Sequence, residues 1–215
     1  MTEDTPSRRR GRPATITRDE IVAAALALAR SDGVERLSIR ELARYLERPP
    51  MSLYAHIDSK DDLLVAMLEA VLAELKPKGA ARDAKAALKK YLHGLRRTLQ
   101  ALPGLSRAAV IDGRMTSPML GVTGTLLGLL SGLDLPLSTR VDYCRALLWV
   151  ALGFTVSEES APARDVDFFA AIDRVAPRPR AFLHEALPLL MTPRPDKAFD
   201  LSVELLVEGI WSASG

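Results

Sequence analysis

The sequence predicts an all-α protein with a small N-terminal helical domain and a larger helical domain behind it. Three observations carry that prediction. Aromatic residues are only 5% of the chain while Leu and Ala are abundant, which favours helices over pleated strands. Three helix-start signals of the form Ser/Thr-x-x-acid stand at Thr17–Glu20, Ser38–Glu41 and Ser59–Asp62. Prolines and glycines punctuate the remainder, and no apolar/polar alternation marks a strand.

Each element follows from the residues in turn. Residues 1–16 are polar, charged and proline-containing, and are expected to form a disordered basic arm. The first helix starts after Thr17, buries Ile21, Ala24, Ala25 and Leu28 at helical spacing, and stops at Gly33. The second opens at Ser38 and turns Ile39, Leu42, Ala43 and Leu46 inward. Pro49-Pro50 then fixes the start of a third, very short helix, because proline suits the first helical position and its predecessor avoids helical angles. This helix is expected to run from Pro50 to His56 or Ile57, with Leu53 and Ile57 as anchors. The fourth opens at Ser59 and carries an apolar series to Leu75, and Lys76-Pro77-Lys78-Gly79 ends it. Later helices are expected near 83–101, 104–111, 117–132, 138–157, 165–175, 179–191 and 196–212. The domains are therefore read as 1–16, 17–76 and 77–215.

Composition narrows the function. Charged residues make up 26% and hydrophobic residues 48%, a globular mixture with a net charge of +2. The charge is unevenly placed: Arg8, Arg9, Arg10, Arg12 and Arg18 follow one another with no acid from 7 to 18. One cysteine, Cys144, allows no internal disulfide and fits a reducing, cytoplasmic setting. No signal peptide and no apolar run long enough to span a membrane is read. Two short helices joined by a tight turn form a helix-turn-helix, whose second helix fits the major groove of DNA, and a cationic arm ahead of it suits a phosphate backbone. Arg10-Gly11-Arg12-Pro13 is also similar to an AT-hook core, which lies in a narrow minor groove.

The segment Leu37-Ser38-Ile39-Arg40-Glu41-Leu42-Ala43, followed by Ser52-Leu53-Tyr54-Ala55-His56-Ile57-Asp58-Ser59-Lys60-Asp61-Asp62-Leu63-Leu64, resembles the signature of the TetR family of bacterial one-component repressors. The resemblance extends over about residues 17–68. It implies that Tyr54 and His56 donate to DNA phosphates, and that Lys60 holds one at a helix start. Arg40 takes the place of a guanine reader, and Pro50, Met51, Ser52 and Ala55 lie where base edges are met. Arg48, in the turn, is a further contact. Two departures bear on the turn: Glu47-Arg48 stands where the family has Gly-Val, and the proline is doubled, so a local difference is expected there.

The resemblance further implies that the C-terminal domain dimerises and binds a small effector. The helices near 138–157 and 196–212, apolar nearly all round, are the expected interface of a homodimer on a palindromic double-stranded operator. The expected pocket residues are Tyr91, Arg114, Met115, Met119, Trp149 and Phe154, with His93 and His184 behind them. Tetracycline-binding members use a histidine near position 111 to hold a magnesium–drug chelate. This chain has Ile111, with no histidine between His93 and His184, so that ligand is not expected. Glu158 and Glu159 are read as a solvated helix end. No cofactor and no metal are expected, since the three histidines have no ligand spacing and Cys144 no partner. The alternatives are a small helical enzyme, for which no catalytic constellation is found, and an architectural DNA-binding protein without ligand.

Overall fold

The computed structural model describes residues 16–77, 83–111, 114–159, 168–190, 192 and 194–215. The arm, with Arg10 and Arg12, lies outside the described residues. Ten α-helices are seen among them: α1 (Arg18–Asp32), α2 (Ile39–Tyr45), α3 (Pro50–Tyr54), α4 (Lys60–Ala73), α5 (Ala84–Gln100), α6 (Ser117–Leu129), α7 (Leu137–Glu159), α8 (Phe168–Asp173), α9 (Pro177–Leu190) and α10 (Pro195–Ser212).

The N-terminal head is α1 to α3 closed over the first half of α4. Ile21, Ala25, Leu42, Leu53, Ile57 and Leu63 are completely buried in it, so the two anchors expected in and after the third helix do face inward. Ile16, assigned by sequence to the arm, is also buried, so the head begins one residue earlier than expected. The Thr17 capping box is complete, with its hydroxyl accepting from Glu20 N and the Glu20 carboxylate accepting from Thr17 N. Ser38 and Ser59 cap their helices likewise. At the third box, however, the acid does not return to its own cap: Asp62 accepts from Asp58 N and pairs with Arg18.

The turn between α2 and α3 keeps the left-handed conformation without glycine. Glu47 itself takes φ 53°. Glu47 N donates to Arg44 O and Arg48 N to Ala43 O, the paired bonds of a Schellman stop, which satisfy the last carbonyls of α2. α3 is shorter than expected, five residues, with His56 N and Ile57 N both donating to Leu53 O as it closes.

The body consists of α5, α6, α7 and α10 around Phe199, with the second half of α4 against it. α5 and α10 run antiparallel and are matched charge for charge. Lys85 meets Glu208, Lys89 meets Glu204, His93 faces Asp200 at 3.7 Å and Arg96 meets Asp196 at 2.8 Å. Steps of about one helical turn on each helix hold the register, although each exposed pair adds little stability.

The expected helix at 104–111 is instead a 3-10 turn, Leu105–Ala109, leading into a two-stranded ribbon, β1 (Val110–Ile111) with β2 (Arg114–Met115). The cause is local: Thr116 donates its N–H to Ala109 O and its hydroxyl to Ala108 O, folding the chain back before an α-turn can form. The 3-10 turn begins at Gly104, φ 88°, where an added Cβ would lie 3.3 Å from Val34 of the head.

Two outcomes test this architecture. Glu47→Gly removes left-handed strain worth about 1–2 kcal/mol and restores some chain entropy, so a net gain of about 0.5–1 kcal/mol is expected in denaturant unfolding; a loss would refute the strain. Arg18 holds the Asp62 carboxyl below its ordinary value of 3.8, against the opposing effect of burial. A depressed carboxylate contributes stability that is present above the unfolded value and disappears as pH falls through the folded one. The pair is partly exposed, so Asp62→Asn should lower stability at neutral pH by only about 0.5–1 kcal/mol. The difference between variant and wild type should vanish on acidification below Asp62's ordinary value of 3.8; a pH-independent difference would show that the charge is not its source.

Candidate functional site

The contact residues expected of the head come from the first turn of α2, from the turn after it, from α3 and from the start of α4. α3 is amphipathic on a minimal scale. Leu53 is completely buried, while Met51 is 76% and Tyr54 47% exposed. Arg40, Pro50, Ala55 and Lys60 are exposed beside them, and Arg48, Ser52 and His56 are half-buried. None of the nine sequence-expected contacts outside the arm is buried. Met51 is the most exposed large apolar side chain among the described residues, and Tyr54 is exposed three positions along the same five-residue helix.

The chemistry of these residues follows from their donors. Ser52 Oγ donates to Pro49 O at 2.6 Å, so its hydrogen is engaged by the backbone and its oxygen remains an acceptor. Lys60 is the first residue of α4, where unsatisfied N–H groups and the positive end of the helix dipole lie beside its ammonium. The Arg18 guanidinium donates to both Asp62 oxygens, at 2.6 and 3.0 Å, and to His56 O at 2.5 Å. It thus ties the start of α1 to the connection between α3 and α4. Sequence reading counted Arg18 only as part of a basic run. Its partner is 44 residues away, and no local spacing signals such a contact.

In the body the expected pocket residues separate into two groups. Tyr91 and Met119 are buried, and Tyr91 lines a cleft of about 260 Å³ between α4, α5 and α6 with Leu72, Pro118 and Val122. Burial pushes the Tyr91 hydroxyl up, partly offset by its hydrogen bond with Thr125. Phe154 packs edge-on against Phe199 at 5.5 Å, and His93 does so at 5.2 Å. Trp149, by contrast, is 59% exposed on α7, Met115 stands at the surface, and His184 is exposed on α9. Arg114 enters the ribbon by its backbone, and its side chain lies outside the described residues.

Glu158 and Glu159 do not form a solvated helix end. Arg96, 6% exposed, lies 4.7 Å over the Phe199 ring and pairs with Glu158 as well as Asp196. Gln100 donates to the other Glu158 oxygen, and Ser106 donates to Glu159. Burial pushes the Arg96 guanidinium down, and the two carboxylates more than restore it. The physical reason is that a buried arginine must be paired, and the end of α7 is where the pairing groups arrive. Cys144 is buried and its thiol is pushed up to about 11, which keeps it protonated. Among the described residues, no group of three or more His, Cys, Asp or Glu is placed to hold a metal ion, and no helix is long and apolar enough to cross a membrane.

Comparison with known proteins fits this geometry. Residues 21–67 match the family described as bacterial regulatory proteins, tetR family. An HTH-type transcriptional regulator of Saccharopolyspora erythraea is 46% identical over 61 residues, 28% of this chain and 26% of that protein, so the match spans about a quarter of that relative's length. The tetracycline repressor protein class G of Vibrio anguillarum is 28% identical over 192 residues, covering 88% of this chain and 90% of the relative. The crystal structure of the TetR family protein ActR of Streptomyces coelicolor, in complex with (S)-DNPA, superposes with a TM-score of 0.79 at 23% identity, over 94% of this chain and all of that one. At that identity the likeness is one of fold. The head thus matches the family of tetR bacterial regulatory proteins over residues 21–67, and the chain as a whole shares its fold with a solved TetR family protein.

Proposed function

We propose that this protein is a ligand-responsive transcriptional repressor that binds a palindromic operator as a homodimer and is released by a small molecule. The observation that carries this reading is the two-sidedness of α3: Leu53 closes the core, while Met51 and Tyr54 stand exposed between Arg40 and Lys60. Arg40 presents a fork that matches the O6/N7 edge of guanine; Met51 and Ala55 suit thymine methyls. Tyr54, His56, Lys60 and Arg48 suit phosphates, and Arg10 and Arg12 of the arm add sequence-independent attraction.

Self-association is supported by the outer faces of α7 and α10. Trp149 and Val156 on α7, and Leu201 and Leu205 on α10, are exposed although the two helices pack against each other. Four such helices, two from each copy, would cover these side chains across a two-fold axis. Release by a ligand is supported by the cleft beside Tyr91, whose wall includes Leu72 and Ala73 of α4. A molecule that prefers one placement of α4 shifts the population of heads away from the spacing that two half-sites need. Two relatives carry ligands in their names, tetracycline for the class G repressor and (S)-DNPA for the ActR complex, which supports an effector for this chain without naming it.

Selection of bound duplexes from a random pool tests the reading. Enrichment of two inverted half-sites is expected; enrichment of nothing, or of a lone half-site, would overturn it. On the selected DNA, Lys60→Ala should weaken binding to all sequences alike by about 1 kcal/mol. Arg40→Ala should relax preference at one base position in each half-site, and a uniform loss would remove it as a reader. Leu201→Glu with Leu205→Glu should give a monomer in sedimentation and abolish cooperative operator binding; a persistent dimer would move the interface elsewhere.

A further inference from the structure

α5 carries two cationic edges that the fold treats differently. On one, Lys85, Lys89 and Arg96 each meet a carboxylate of α7 or α10. One residue beyond two of these, Lys90 and Arg97 line a cleft of about 250 Å³ on another side of the helix, joined there by Lys76 from the end of α4. Glu74 also borders this cleft, yet among the described residues none of the three cations is paired with a carboxylate. Like charges gathered round one hollow repel each other until an anion enters. Arg97 lies in the last turn of α5, where a helix end by itself favours a cation, but Lys90 is mid-helix and has no such reason to be there.

The cleft is also shaped for a compact guest. Position 94 is glycine, and a Cβ built there would lie 2.8 Å from Leu75 Cδ1, so Leu75 closes the floor and no side chain from position 94 rises into the space. Thr98 adds a hydroxyl to the lining, with no partner among the described residues. The cleft lies at the opposite end of α4 from Lys60; 14 residues at 1.5 Å each separate them by about 21 Å.

We infer that this cleft binds a small, oxygen-rich anion, a phosphate ester or a polycarboxylate; it adjoins the apolar cleft beside Pro118 and Val122, with which it shares Tyr91, and its cations set it apart in chemistry. Its occupant bridges the end of α4 to α5, the junction of head and body.

The test is calorimetric titration of the full chain with inorganic pyrophosphate and, separately, citrate, at constant ionic strength. Saturable binding is expected, weakened about tenfold or more by Lys90→Gln with Arg97→Gln and also weakened by Lys76→Gln alone. The melting temperature and the affinity for selected DNA, both without the anion, should be unchanged in these exposed-residue variants. Preference for one probe over the other assigns the phosphate or the carboxylate class. Binding that survives all three substitutions unaltered would assign the anion to the arm or the reading surface and overturn the inference, as would absence of saturable heat for both probes. No DNA enters the titration, so its failure and that of the operator proposal are distinguishable.

Discussion

A helix of five residues cannot hold itself together in water, because nucleating a helical turn fixes several residues for a single hydrogen bond. α3 exists only because its surroundings impose it, and most local features of the head answer that constraint. Pro49 and Pro50 set its entry angles. The Schellman bonds around Glu47 close α2 immediately before it. Leu53 and Ile57 pin it to the core, and Arg18 holds its exit through His56 O. A helix fixed at both ends presents its outward side chains with little conformational freedom left to lose, which is what the proposed reading of DNA requires of it.

The body solves a different problem, that of placing many charges on helices that must also pack. α5 buries Leu88, Leu92, Leu95 and Leu99 along one stripe, and its cations flank that stripe. α10 supplies the opposing acids, which fixes its direction and register and leaves Leu201 and Leu205 on the outside. Arg96 is the deepest of these charges. Pairing with two acids and lying over Phe199 make its burial tolerable, and the neighbouring contact of Glu159 with Ser106 brings the 3-10 turn at Leu105–Ala109 into the same network.

α4 belongs to both halves. Its first residues lie exposed beside α3, Leu63 and Met67 fill the core, and its later turns pack against α6 and the turn at Leu105–Ala109. Gly104 lets that turn approach Val34 of the head. α4 therefore runs from one core into the other without a break, so that packing in the head and in the body bears on the same helix.

What the sequence determined by itself is the set of features with a local physical cause. Caps and prolines placed the starts of α1 to α4 to the residue, though not all their ends, and the outward residues of α3 followed from the helical period once Leu53 and Ile57 were inward. Only the tertiary structure decided the rest. Asp62 was legible as a cap acid but not as the partner of Arg18; Glu158 looked solvated until Arg96 arrived from another helix; Trp149 was read as pocket lining and stands exposed. The difference is one of range. A cap or a helical stripe depends on neighbours within a turn or two, whereas an ion pair across 44 or 62 residues, or the choice of which face of an all-apolar helix is covered, depends on how whole helices pack.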